Sequence, residues 1–286
     1  MENTITTMKN FIKTHALLIY FILAFAISWG AILLSAGPDG IPVTADQIAV
    51  LGMAMLLGPS VAGVLLTGLA SGKMGFSGLF SRLLRWRVSA RWYVLALLTA
   101  PLVTTAVLLA LSFFSSGFLP AIFTSDERAT FLLLGIVGGL VVGSFEELGW
   151  TGFAIPRMRL KYGVFTTGLI VGLLWGAWHF LLFWESDTFS GAFPLALLLA
   201  RLFSWLPAYR VIMVWVYDRT ESLLVSILMH VSLVATMAII DPSLTGVRLL
   251  TFILIRGSVL WIIAAAVGLA QRRTARKAWT RSDTLK

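Results

Sequence analysis

Eight apolar stretches, each of about twenty residues, set the limits on what this chain can fold into. They run over 15–34, 47–70, 92–114, 130–155, 163–184, 192–217, 222–240 and 247–270. About twenty such residues in a helix cross the ~30 Å hydrocarbon layer of a bilayer. In that layer the backbone must satisfy its own hydrogen bonds, which a helix does. Only 12% of the 286 residues are charged, against roughly 25% in a soluble domain. The expected fold is all-α: a polytopic membrane protein of about eight transmembrane helices, one membrane domain over 1–286.

Composition removes several function classes. There is no cysteine, hence no disulfide framework and no thiolate nucleophile or thiolate metal site. The eleven tryptophans fit interfacial anchoring. The first apolar run is too long for a signal peptide and lacks a small-residue cleavage pattern, so it reads as a spanning helix. The net charge of +9 reads as basic loops on one side of a bilayer rather than as a nucleic-acid surface.

The basic residues are one-sided. Lys9 and Lys13 precede the first span. Lys73, Arg82, Arg85, Arg87 and Arg91 lie in the second connection, Arg157, Arg159 and Lys161 in the fourth, and Arg219 in the sixth. Arg272, Arg273, Arg276, Lys277, Arg281 and Lys286 follow the last span. The opposite connections hold Arg128 and Arg248 with Asp39, Asp46, Asp126, Glu127, Glu185, Asp187 and Asp241. By the positive-inside rule both termini are cytoplasmic. Residues 76–92 alternate apolar and basic and read either as an amphipathic surface segment or as a plain basic loop. Three arginines fall inside spans. Arg210 is expected to snorkel to the cytoplasmic interface, Arg201 to pair inside the bundle, and Arg256 to be structural.

Against this background the pair Glu146-Glu147 stands out. A charge near the centre of a spanning helix costs about 2.5–3.5 kcal/mol on insertion scales. Two histidines also lie within spans, His179 in the fifth and His230 in the seventh. The fourth and fifth spans form a hairpin turning near Tyr162-Gly163. Glu146 lies sixteen residues before Tyr162 and His179 seventeen after, so an antiparallel pair carries them at one depth. His230, about eight residues into its span, falls in the same cytoplasmic-side layer. Glycines at 135, 138, 139, 143, 149 and 152, and at 172 and 176, are expected to let the two arms of that hairpin pack tightly.

Two carboxylates and two imidazoles support three readings. One is hydrolysis, with a carboxylate activating water and imidazoles binding a metal, steadying the water or donating to an oxyanion. The second is proton or ion translocation; the chain shows no paired repeat halves to favour it. The third is a buried hydrogen-bonded cluster. His-Glu-x-x-His and Gly-x-Ser-x-Gly are both absent, which removes the common zinc-protease helix and weakens a serine nucleophile.

These residues resemble the CPBP family. Its members are bacterial relatives of the CAAX prenyl endopeptidase, also known as Abi or CAAX protease self-immunity proteins. The family pattern is Glu-Glu-x-x-x-Arg, Phe-x-x-x-His and His-x-x-x-Asn on separate helices. Here it reads Glu146-Glu147-Leu148-Gly149-Trp150-Thr151, Trp175-Gly176-Ala177-Trp178-His179 and His230-Val231-Ser232-Leu233-Val234. The resemblance implies an eight-span intramembrane endopeptidase of the cell (inner) membrane, with a catalytic core over 130–240. It implies that Glu146 activates water with His179, that Glu147 supports the site, and that His230 holds the oxyanion. Where the family is described as metalloproteases, Glu146, His179 and His230 are the implied ligands of a divalent metal such as zinc. The implied partners are the lipid bilayer and a peptide or membrane-protein substrate. An inactive binding or immunity protein of the same fold is the alternative.

The sequence departs from the family at three positions. Thr151 replaces the arginine that faces Glu147 one turn on, so Glu147 is either protonated or paired with another cation, Arg201 or Arg157 being the candidates. Val234 replaces an asparagine and cannot donate to an oxyanion; Ser232, about 200° around the helix from His230, is a poor substitute. Trp175 replaces phenylalanine.

Overall fold

A computed structural model describes residues 2–36 and 45–283, with side chains described for residue 7, 10–35 and 50–271. Asp39 and Lys286 lie outside the described residues. So do the side chains of Lys9, Asp46, Arg272, Arg273, Arg276, Lys277 and Arg281.

The described residues are helical, with no strand among them. The long elements are α1 (Glu2–Ala36), α2 (Ala45–Leu83), α3 (Ala90–Ser112) and α4 (Arg128–Gly149). They continue with α5 (Ile155–Arg159), α6 (Val164–Trp178), α7 (Ala192–Phe203), α8 (Leu206–Thr220), α9 (Leu223–Ile239) and α10 (Gly246–Asp283). Among the described residues six segments are long and apolar enough to cross a membrane: Asn10–Ser35, Val50–Leu83, Ala90–Ser112, Arg128–Arg159, Ala192–Thr220 and Gly246–Gln271. Two shorter apolar helices, α6 and α9, stand where the fifth and seventh spans were expected. The chain is an all-helical, multi-pass membrane protein.

The packing is that of a bundle immersed in an apolar solvent. Leu132, Leu133, Leu134, Ile136 and Val137 of α4 are exposed, as suits lipid-facing positions. Helix α8 is the centre instead: every residue from Leu206 to Val214 is buried. It packs on α6 and α10, while α4 packs on α9 and α2, and α1 on α2.

Two breaks position the site. The sixth predicted span is two helices, α7 and α8, separated at Ser204-Trp205. Pro207 lies in the first turn of α8, where its missing N–H costs nothing. Helix α2 bends at Gly72, whose φ of 57° is open to glycine, and continues through the basic segment to Leu83. The candidate amphipathic stretch therefore starts as part of α2. Its Arg82 turns inward, donating to Tyr217 Oη (3.0 Å) and to the carbonyl of Gly152 (2.9 Å).

Candidate active site

The site begins where α4 ends. The Trp150 N–H bonds to the carbonyls of both Glu146 and Glu147, and the helix widens into a π-turn over Trp150–Ala154. Such insertions are frequent at functional sites. Adjacent helical residues project about 100° apart, so the two carboxylates meet different neighbours.

Glu146 is 2% exposed. Its Oε2 accepts a hydrogen bond from the Trp175 indole Nε1 at 2.7 Å. His179 follows the last residue of α6, and its Nδ1 lies 2.7 Å from the Trp175 carbonyl oxygen. A carbonyl only accepts, so Nδ1 carries the proton in a neutral ring and Nε2 is bare. The Trp175 ring is 5.5 Å from the His179 ring and 5.3 Å from the His230 ring. The expected trio is thus gathered around one indole. That tryptophan looked like a conservative exchange for phenylalanine, but it supplies a hydrogen bond phenylalanine cannot make.

Glu147 has no exposed side-chain surface. Arg210 Nη1 donates to its Oε1 at 2.8 Å and its Oε2 at 3.0 Å. His230 Nδ1 donates to Oε1 at 2.8 Å. The Thr151 hydroxyl donates to Oε2. The carboxylate is therefore paired, and the cation is neither candidate named from sequence. Arg157 stacks on Phe153, 3.7 Å from the ring centre, and donates to that residue's carbonyl. Arg201 pairs with the half-exposed Glu185 at 2.5 Å, outside the core. Arg210 does not snorkel: its side chain is 0% exposed and lies 4.1 Å over the Trp175 ring. A span ending at Tyr217 puts Arg210 near the cytoplasmic interface. The helix runs on to Thr220, ten residues or about 15 Å of helical rise past Arg210, and the side chain turns to the Glu147 carboxylate instead.

Close helix contacts bring these groups together. A Cβ on Gly143 would stand 3.0 Å from the Val231 nitrogen, so α4 lies directly against α9 beside His230. A Cβ on Gly172 would stand 2.5 Å from Pro207 Cα and 3.1 Å from Arg210 Cβ, so α6 lies directly against α8. The glycines serve contacts with other helices rather than a tight pairing of the hairpin's own arms: Gly135, Gly139 and Gly143 face α9, Gly149 and Gly152 face Pro59 and Leu79 of α2, Gly172 faces α8 and Gly176 faces Leu202 of α7. Ser232 donates to the Leu97 carbonyl at 2.7 Å, away from His230, and takes no part.

Several buried polar atoms around this cluster have no protein partner: Arg210 Nε and Nη2, Tyr20 Oη, Trp150 Nε1 and Trp178 Nε1. Tyr20, on α1, contacts Trp150 at 5.7 Å, and Trp150 contacts Trp178 at 5.9 Å. Neither Tyr20 nor the indoles carried a signal in the motif. Among the described residues no three His, Cys, Asp or Glu side chains converge as a metal site. Glu146 Oε1 and the Nε2 atoms of His179 and His230 are the donors left open, but as placed they do not converge at the ligand distances of about 2 Å that zinc needs.

Residues 128–236 match the family model of the type II CAAX prenyl endopeptidases, Rce1-like. This segment is similar to that family. It contains Glu146, Glu147, His179, Arg210 and His230, while Tyr20 lies outside it. A "CAAX prenyl protease 2" of Methanococcus maripaludis is 30% identical over 105 residues, which is 34% of this chain and 36% of that protein. The chain thus aligns with about a third of the length of this curated relative.

Proposed function

We propose that the chain is an intramembrane endopeptidase of the CAAX-protease type, with spans four to seven (130–240) as its catalytic core and both termini cytoplasmic. One observation carries the reading: the Trp175 indole holds Glu146 beside His179, while Glu147 holds His230. The indole bond leaves Glu146 Oε1 for a water. The bare Nε2 of His179 accepts the second hydrogen bond that orients this water. Glu146 takes a proton as the water oxygen adds to the scissile carbonyl carbon. His230 donates to the resulting oxyanion from Nε2–H as an imidazolium, whose charge the Glu147 carboxylate at its Nδ1–H stabilises throughout. Collapse breaks the C–N bond, and the proton held by Glu146 passes to the leaving amine. Arg210 balances Glu147 throughout. The unpartnered donors of Arg210, Tyr20, Trp150 and Trp178 suit the water that hydrolysis consumes.

The substrate class is a peptide or membrane-protein segment; the relative's name points to prenylated CAAX tails as the first candidates. Val234, in the place of an amide donor, favours a second reading, a weak or inactive binding or immunity protein of the same fold. The test is to offer purified protein and Glu146→Gln a set of farnesylated and unmodified peptides in detergent or nanodiscs. Cleavage by wild type alone is expected. If wild type cleaves nothing while a cellular phenotype survives both Glu146→Gln and His179→Ala, the enzyme reading fails and the binding protein stands. Elemental analysis of active protein tests the donor-set argument, a transition metal near one equivalent counting against it.

A further inference from the structure

A second cavity of about 380 Å³ lies at the end of the bundle opposite the basic connections. It uses none of the residues given a role above. Its floor is apolar, formed by Met237, Leu249, Trp205 and Phe252, and four charged side chains line it: Arg201, Arg256, Glu185 and Asp241. They form two ion pairs, Arg256 Nη1 to Asp241 Oδ2 at 2.8 Å and Arg201 Nη1 to Glu185 Oε1 at 2.5 Å. The lining is therefore neutral overall.

The pairs leave bonding capacity unused. Arg256 is 5% exposed, its guanidinium 4.5 Å from the Trp205 ring centre and 4.7 Å from that of Phe252, and its Nε has no partner. Asp241 Oδ1 is also buried without a partner. A buried donor and a buried acceptor without partners are rare in native proteins and call for a ligand or water. Both residues line this cavity, beside an apolar floor, at a size typical of small-molecule sites.

We propose that this cavity binds a phospholipid whose head carries both a phosphate and a primary ammonium. The phosphate accepts from Arg256 Nε and Arg201; the ammonium donates to Asp241 Oδ1 and Glu185; one acyl chain lies on the Leu249 and Phe252 floor. A choline head matches the charges but has no N–H to donate. A glycerol head can donate but brings net negative charge into a neutral site. Bilayer lipid is the source at hand, because the cavity belongs to a membrane-embedded bundle.

The test uses the full chain in detergent and native mass spectrometry. Phosphatidylethanolamine, phosphatidylcholine and phosphatidylglycerol with identical acyl chains are titrated separately, with O-phosphoethanolamine as the chainless head. Wild type is expected to bind the ethanolamine lipid at least about five-fold more tightly than either other lipid, and the chainless head far more weakly. Leu249→Trp fills the floor. Arg256→Met combined with Asp241→Leu removes one ion pair without leaving a lone buried charge. Both variants are expected to lose the preference. Equal binding of the three lipids, tighter binding of the glycerol lipid, equal affinity for the chainless head, or a preference that survives in folded variants would each overturn the assignment. If neither variant folds, the wild-type comparison decides alone.

Discussion

Arg210 Nη1 lies 2.8 Å and 3.0 Å from the two carboxylate oxygens of Glu147, and neither side chain reaches the surface. The arginine comes from α8, not from the helix that carries the acid. In the family pattern the cation is expected at the position of Thr151, one turn after Glu147. Here a hydroxyl occupies that position and the charge arrives from across the bundle. The same carboxylate holds His230, so one buried acid ties α4, α8 and α9 together.

Breaking a buried pair by removing one partner costs about 3–5 kcal/mol. Arg210→Leu is therefore expected to lower stability by about that much, read from thermal or denaturant unfolding in detergent. Adding Thr151→Arg to that variant restores a cation from a position that already reaches Glu147, and should recover a large part of the loss. Thr151→Arg alone should destabilise, because it places a second cation beside Arg210. A double variant no better than Arg210→Leu would show that position 151 cannot carry the charge.

The Trp175 indole offers a cleaner separation of chemistry from folding. A hydrogen bond to a charged group is worth about 1.5–3 kcal/mol. Trp175→Phe removes the donor to Glu146 but keeps a ring against His179, His230 and Arg210. Turnover should fall about 10–100-fold while stability falls by about 1.5–3 kcal/mol, less than for Arg210→Leu, so a folded variant is available for assay. An unchanged rate would show that the indole does not orient the base.

How much of this was legible beforehand follows from what each signal depends on. Repeated membrane crossing was readable because apolar runs of twenty residues have few alternatives in a chain with so little charge; the count of eight was not, since among the described residues six segments reach spanning length and α6 and α9 fall short. Equal counts from one hairpin turn bring Glu146 and His179 to one depth, and a separate count along its own span brings His230 to the same layer; the structure sets all three against the Trp175 indole. Arg210 was not legible because a span end set at Tyr217 falls one turn short of the helix end at Thr220, and no count along one helix shows that its side chain meets Glu147 of α4. The glycines were assigned to the wrong partners for a related reason. Small residues mark close approach but not which helix approaches, and only tertiary packing sets Gly143 on Val231 and Gly172 on Pro207. The π-turn after Glu147 and the unpartnered Tyr20 hydroxyl have no pattern of their own in the sequence.

The α6–α8 contact can be tested directly. A methyl group at Gly172 would meet backbone, Pro207 Cα at 2.5 Å, rather than a flexible side-chain tip. Overpacking of this kind costs about 1–3 kcal/mol. Gly172→Ala should therefore destabilise by that amount and also weaken catalysis, since the same shift draws Arg210 from Glu147. Gly138→Ala is the control, because nothing lies within 4 Å of its added methyl. Equal effects at the two positions would show that glycine flexibility, not close packing, is what α6 requires.

The last prediction concerns the donor that the sequence lacks. Val234 follows His230 by one helical turn and so shares its face. It is partly buried and can offer an oxyanion nothing. One oxyanion donor typically changes turnover by about 10²–10³-fold. If His230 stabilises the oxyanion as proposed, Val234→Asn supplies a second donor on the same face and should raise kcat, by up to about 100-fold, with little change in KM. The gain must vanish in Glu146→Gln, which removes the base without touching the donor. A rise in wild type that disappears with Glu146→Gln places the oxyanion at His230. An unchanged kcat in a folded Val234→Asn protein would place the oxyanion elsewhere, and the unpartnered N–H groups of Arg210 would then be the next donors to substitute.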